Sequence, residues 1–336
     1  MIELGYKLCS EEHTPEELLH CARRAEETGF GFAMISDHFH PWIDRQGQSS
    51  FVWSVLGGIA QVTEHLKIGT AVTCPTMRIH PAIIAQAAAT AAAMLPGRFM
   101  LGLGSGENLN EHILGEHWPE ADVRQAMLEE AVEVIRLLWG GGQKSHYGPH
   151  YRVENARIYT LPQSLPPILI AASGPKSAEL AGRIADGLIT TAPDKEVKEK
   201  FEAAAGAGKP CYAEMAVCWA ENEKKARQTA FECWPIIGVK GELTQILPAP
   251  AHFEQAAKML SEDDVAEEIV CGPDAAPYID QLKQYAEAGF TNVFIHQIGP
   301  DQAGFFRFCE RELMPRIEQM SADKSRSTGE VGALGA

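Results

Sequence analysis

The chain has 336 residues, 45% hydrophobic and 22% charged, with a formal net charge of −16. So large a negative excess argues against nucleic acid or anionic membrane as a partner, and it leaves any anionic ligand to local donors. No apolar run approaches the roughly 20 residues that span a bilayer. The opening residues Ile2-Glu3-Leu4-Gly5-Tyr6 also carry neither the basic nor the apolar stretch of an export signal, so a cytoplasmic protein is expected.

Strand and helix patterns alternate from the start. Leu4–Leu8 reads as a strand, and Pro15–Thr28 as a helix, with Thr14 as cap and Pro15 in the first turn. Strand patterns follow at Phe32–Ser36, Leu66–Thr73, Phe99–Leu103, Ile168–Ala172, Gly187–Thr191, Tyr212–Trp219 and Val293–His296. Helical spacing marks Phe51–Val62, alanine-rich His80–Met94 and Val123–Trp139, then segments near 175–186, 194–205, 221–232 and 275–288. Eight such alternations predict one α/β domain over residues 1–318, a (β/α)8 TIM barrel. Residues 141–166 and 234–273 break the rhythm and are expected as insertions at the barrel mouth, while 319–336, rich in Ser, Gly, Ala and Lys, is expected to be a disordered tail. The cysteines at 9, 21, 74, 211, 218, 233, 271 and 309 form no CxxC pair and no zinc spacing, so buried free thiols in a reducing compartment are expected.

In this fold chemistry sits where strands end. The second strand hands over Ser36-Asp37-His38-Phe39-His40-Pro41-Trp42, where a carboxylate adjoins an imidazole suited to acid–base work and an indole can stack on a ring. The third ends Ala71-Val72-Thr73-Cys74. The fourth ends Gly104-Ser105-Gly106-Glu107-Asn108-Leu109-Asn110, glycines that let backbone approach a flat ligand, followed by a carboxyl. The fifth ends Ala171-Ala172-Ser173-Gly174-Pro175-Lys176, a glycine turn into a helix whose free amides favour phosphate, with Lys176 adding charge. The glycine spacing is not the dinucleotide fingerprint GxGxxG. His38 and His40 form an H-x-H, but later strand ends supply only Glu107 and His296, too few for a barrel metallohydrolase, so no metal is expected.

As a set, Ser36-Asp37-His38-Phe39-x-Pro41-Trp42, Arg78-x-x-Pro81-Ala82-x-Ile84-Ala85-Gln86-Ala87, Leu95-Pro96-x-Arg98, Gly104-x-Gly106-Glu107-x-Leu109-Asn110-Glu111 and Ala171-Ala172-x-Gly174-Pro175 resemble the luciferase-like flavin oxidoreductases. More closely, the chain resembles the F420-dependent glucose-6-phosphate dehydrogenase family and its relatives. It implies coenzyme F420 as cofactor, His38 as the base for a substrate hydroxyl, Trp42 stabilising the intermediate, and Glu107 serving the ring nitrogen. It also implies a cofactor lining of Asp37, Ala71, Val72, Cys74, Ser105, Gly106, Asn110, Ala171, Ala172, Ser173, Gly174, Pro175 and Lys176, and a non-proline cis bond at Ala71–Val72. Glu11, His40 and Thr191 are assigned to the substrate side. The family's sugar-phosphate enzymes use a threonine, two lysines and an arginine. Here Thr191 survives, but one lysine position reads Asp194 and the other falls in Ala266-Glu267-Glu268. The expected reaction is therefore hydride transfer between F420 and a small alcohol, ketone or unphosphorylated sugar-like molecule, in a homodimer, with glucose 6-phosphate a poor substrate. The alternatives are an FMN-dependent monooxygenase or reductase, a metal-dependent hydrolase using His38 and His40, and a non-catalytic flavin-binding protein.

Overall fold

Thr14 shows how local chemistry starts an element here. Its hydroxyl accepts the Glu17 amide while the Glu17 carboxylate accepts the Thr14 amide, a reciprocal cap at the head of helix α1 (Pro15–Thr28). Gly29, with φ +95°, closes the helix in the left-handed conformation. Leu18, Cys21, Ala22 and Ala25 make the stripe that α1 buries against the sheet.

The computed structural model describes residues 2–319; most of the expected tail, 320–336, lies outside the described residues. Strands β1 (Glu3–Leu8), β2 (Phe32–Ile35), β3 (Lys67–Thr70) and β4 (Phe99–Leu103) alternate with α1, α2 (Val52–Val62) and α3 (Pro81–Met94). After β4 come a single turn, α4 (Asn108–Glu111), and the long α5 (Ala121–Trp139). A hairpin of β5 (Lys144–Tyr147) and β6 (Arg152–Ala156) precedes β7 (Ile168–Ala171), α6 (Pro175–Ile184), β8 (Gly187–Thr190), α7 (Lys195–Phe201), β9 (Cys211–Cys218) and α8 (Glu223–Cys233). Short helices α9 (Leu243–Ile246), α10 (Pro250–Ala257) and α11 (Glu262–Ala266) lead to β10 (Val270–Cys271), α12 (Ala275–Glu287), β11 (Asn292–Gln297) and α13 (Gln302–Phe308).

Eight parallel strands close in the order β1-β2-β3-β4-β7-β8-β9-β11, with β11 back on β1. This is the (β/α)8 barrel that the alternation predicts. Its interior is a plug of Phe32, Met34, Met100, Leu169, Ile189, Tyr212 and Phe294. Phe32 fits because its register partner is Gly5, where a Cβ would stand 2.3 Å from the ring. The larger core lies outside, between the strands and the ring of helices.

Two elements depart from the sequence reading. β3 stops at Thr70 rather than Thr73, which makes only a lone bridge to Leu103. The two-residue β10 pairs with β9 outside the barrel and is too short to show a period. Residues 234–273 fold over the strand ends, where Trp234, Ile236, Phe253 and Val265 pack with Cys9, Ile43, Leu109 and Ile298. All eight thiols are unbridged, six buried and two, Cys233 and Cys271, half-buried. Among the described residues no helix is long and apolar enough to cross a membrane.

Candidate active site

The tips of β2, β3 and β4 meet around one buried guanidinium. Arg78 reaches Asp37 at 2.9 Å and Glu111 at 3.5 Å, with all three side chains 6% exposed or less. Thr73 donates its hydroxyl to the other Asp37 oxygen at 2.8 Å, and the Arg78 amide donates to Glu111 at 2.9 Å. Burial pushes the Glu111 carboxyl up to about 7, against the pull of Arg78.

This corrects one expectation: Asp37 does not serve the His38 imidazole. Neighbours in extended chain project to opposite sides, and Asp37 is spent on Arg78 and Thr73. The carboxylate beside His38 is Glu11, whose Oε1 lies 3.5 Å from His38 Nδ1. The Ser36 hydroxyl donates to Glu11 at 2.5 Å and the Cys9 thiol at 3.3 Å. Burial alone would raise the Glu11 carboxyl, but His38, Lys7 and the Ser36 hydroxyl together hold it below the usual range. Nδ1 of His38 also faces the His40 carbonyl at 3.3 Å, so Nε2 is the nitrogen left for chemistry. The Trp42 ring tilts over His38 at 5.1 Å and meets the edge of Phe253, from the covering segment, at 5.1 Å.

Glu107 opens α4 without capping it, half-buried. Gly106 before it has φ +82°, and a Cβ there would lie 2.6 Å from the Cys74 sulfur, so only glycine lets the backbone turn here. Asn110 accepts the Phe39 and His40 amides through Oδ1, while its buried Nδ2 has no partner. Ala71, Val72 and Ala171 rest on the barrel plug with their other sides half open, and the Ala71–Val72 bond is cis. A flat ring needs such a floor, a close backbone and an edge donor; Ala71, Val72 and Ala171, then Ser105 and Gly106, then Asn110 fit these needs. Ala172 is buried and Ser173 exposed. Space is open at Gly174, where a Cβ would meet nothing, at the start of α6, so a phosphate can approach its first free amides. Lys176, exposed, pairs with Asp122 at 3.1 Å.

The three substrate-side residues have different surroundings. Glu11 stands at His38, and His40 turns its Nδ1 to the Leu109 carbonyl at 2.8 Å. Thr191 is exposed just past β8. His38 and His40 thus face different partners and do not converge as metal ligands. Sequence reasoning named His296 but passed over the buried ionic group it joins, with Lys7 on β1 and Glu214 on β9. Lys7 pairs with Glu214 at 2.9 Å, and Glu214 holds His296 Nδ1 at 3.0 Å. Burial would raise Glu214, but Lys7 and His296 bring it down to about 2; burial would lower His296, but Glu12 and Glu214 lift it to about 9. The available signal was a Lys, a Glu and a His inside otherwise apolar strands.

The chain matches the luciferase-like monooxygenase family over residues 2–292, and it belongs to that family. It is 36% identical to the F420-dependent glucose-6-phosphate dehydrogenase of Nocardia farcinica, covering 95% of this chain and 99% of that one. It is 34% identical to the enzyme of the same name from Mycolicibacterium smegmatis, covering 95% and 99%. Among solved structures, an F420-dependent secondary alcohol dehydrogenase in complex with an F420-acetone adduct superposes with a TM-score of 0.84 at 30% identity, covering 94% of this chain and 98% of that one. The relatives' names give no support to the expectation that glucose 6-phosphate is a poor substrate.

Glu111 yields a stability test. A carboxyl that holds its proton more tightly folded than unfolded contributes stability that is complete below the unfolded value of 4.5 and is lost as pH rises through about 7. The loss is on the order of 3 kcal/mol. Replacing Glu111 with Gln should therefore flatten the fall in melting temperature between these pH values relative to the parent. Parallel curves for the two proteins would mean that Glu111 does not bind its proton in this window.

Proposed function

We propose that this chain is an F420-dependent oxidoreductase exchanging a hydride with a small unphosphorylated alcohol or ketone. Its family membership and the F420 dependence stated for its relatives support the cofactor. The observation that carries the reading is a single mouth holding a carboxylate-backed imidazole, His38 with Glu11, and a second carboxyl, Glu107, that caps nothing. A binding protein needs neither. Coenzyme F420, when bound, supplies a two-electron hydride carrier. Ala71, Val72, Ala171, Ser105, Gly106 and Asn110 would hold its ring, and the Gly174–Lys176 turn would take its phosphate. His38 Nε2 takes the substrate hydroxyl proton, Glu11 steadies the imidazolium that results, and Trp42 packs over the reacting group. Glu107 would serve the cofactor side. The unbridged thiols suit a reducing, cytoplasmic setting.

The substrate class rests on charge. Asp194, where the resembling sugar-phosphate enzymes carry lysine, caps α7 by accepting the Val197 amide at 3.1 Å. Lys195 pairs with Glu199, and Glu268 pairs with Lys240. Glucose 6-phosphate is the second reading, favoured by the names of relatives 34–36% identical along nearly the whole chain.

The charge-free outer face of α2 and α3 supports a homodimer. Neither helix contains an Asp, Glu, Lys or Arg, and Trp53, Gly57, Ile83, Ala87, Thr90 and Met94 line a shallow apolar groove between them. Ile83 is 56% exposed and Met94 40%. An exposed uncharged face on a chain of net charge −16 fits a second copy of itself.

Four outcomes are expected. Titration should show F420 binding and FMN not. Turnover in His38→Asn should then fall about a hundredfold or more with F420 affinity nearly intact, and unchanged turnover would remove His38 from the mechanism. In steady-state assays simple secondary alcohols should surpass glucose 6-phosphate in kcat/KM by about a thousandfold, the size of two carboxylate repulsions plus a lost charged hydrogen bond; efficient, saturable oxidation of glucose 6-phosphate would establish the second reading. Light scattering should find a dimer that Ile83→Asp dissociates, whereas a monomeric parent would leave the α2–α3 face without this role.

A further inference from the structure

Beneath the covering segment, apart from the residues assigned to hydride transfer, two buried polar atoms lack partners and face each other. Nε2 of His296 and Oε2 of Glu12 stand 3.8 Å apart, too far for a hydrogen bond. Both side chains are already fixed from behind. His296 Nδ1 is held by Glu214, itself anchored on Lys7, and Glu12 Oε1 accepts the Gly299 amide at 3.4 Å. The sulfur of Cys9 completes a triangle: the three donor atoms lie within 4.8 Å of one another.

We propose that Cys9, Glu12 and His296 bind one divalent cation of the zinc class. Sulfur, imidazole nitrogen and carboxylate oxygen are the donor set that selects borderline transition ions over magnesium or calcium. Bonds of about 2.0–2.3 Å to each donor place tetrahedral ligands about 3.5 Å apart, so the triangle needs only a modest contraction. A metal-bound histidine characteristically gives its other ring nitrogen to a carboxylate, and Glu214 is in that place. Charge points the same way. Glu11, Glu12 and Glu214 surround the cluster with a single ammonium, Lys7, on the inner side, and the ring of Trp234 meets His296 edge-on at 4.5 Å, shielding it from water. A buried negative excess of this kind calls for a cation. A proton on His296 is the competing cation, and the experiment separates the two.

Binding displaces two protons, one from the Cys9 thiol and one from His296 Nε2. Both go to solvent and nothing is oxidised or reduced. Three protein ligands leave a fourth position for water. The site clamps the ends of β1 and β11, and it withdraws from Glu11 the thiol hydrogen bond that Cys9 otherwise donates.

The test uses the full chain, stripped by a chelator and titrated with Co2+ and Zn2+. The expected result is one equivalent per chain, a thiolate-to-cobalt charge-transfer band, and a raised melting temperature with Zn2+. Cys9→Ser should abolish the band, and Cys9→Ser and Glu12→Gln should each weaken binding at least about tenfold, with circular dichroism confirming that each is folded. Glu12→Gln keeps the test open should Cys9→Ser misfold. A parent chain that takes up no metal at sub-millimolar Co2+ would overturn the site in favour of a protonated His296. Equal affinity in parent and variants would overturn it by placing the ion elsewhere.

Discussion

Everything at the mouth depends on the ion cluster around Arg78. Three strands end in loops of unrelated length, and one guanidinium takes a carboxylate from the β2 end and another from the turn after β4, while Thr73 after β3 braces the first. Breaking a buried pair by removing one partner typically costs about 3–5 kcal/mol, because the orphaned charge stays buried. That penalty fixes the backbone at Asp37, and hence the direction in which His38 and Trp42 leave the strand. The same cluster holds Glu111 against the Gly106 turn, so the glycine that admits the ring and the carboxyl that follows it share one anchor.

The barrel was legible because its signal is local and repeated. Caps such as Thr14-Pro15 and strand runs such as Phe99–Leu103 state their conformation within a few residues. The strand tips were legible too, since the fold itself says which ends carry chemistry. The partnerships between tips were not. Asp37 and His38 are adjacent in sequence and divergent in space, whereas Glu11 and His38, 27 positions apart, meet. Glu12 and His296 come from opposite ends of the chain and meet only when β11 closes on β1. No window of sequence contains that closure. β10 was invisible for a different reason: two residues carry no period.

The covering segment links the mouth to the interior. Phe253 touches Trp42 from α10, and Trp234 covers His296 at the foot of α8. Substrate recognition and the buried charges under it are thus roofed by one stretch of chain. Substitutions in residues 234–273 can alter both without touching a strand.

The thiols turn this layered arrangement into an internal clock of motion. Burial raises the thiols of Cys74 and Cys309 well above the usual range, which keeps them chemically silent while the fold is closed. Cys233 and Cys271, half-buried at the two ends of the cover, stand nearest to solvent. An alkylating reagent would therefore read the protein from the outside inward, marking the breathing of the roof first and the opening of the barrel only when the whole domain gives way.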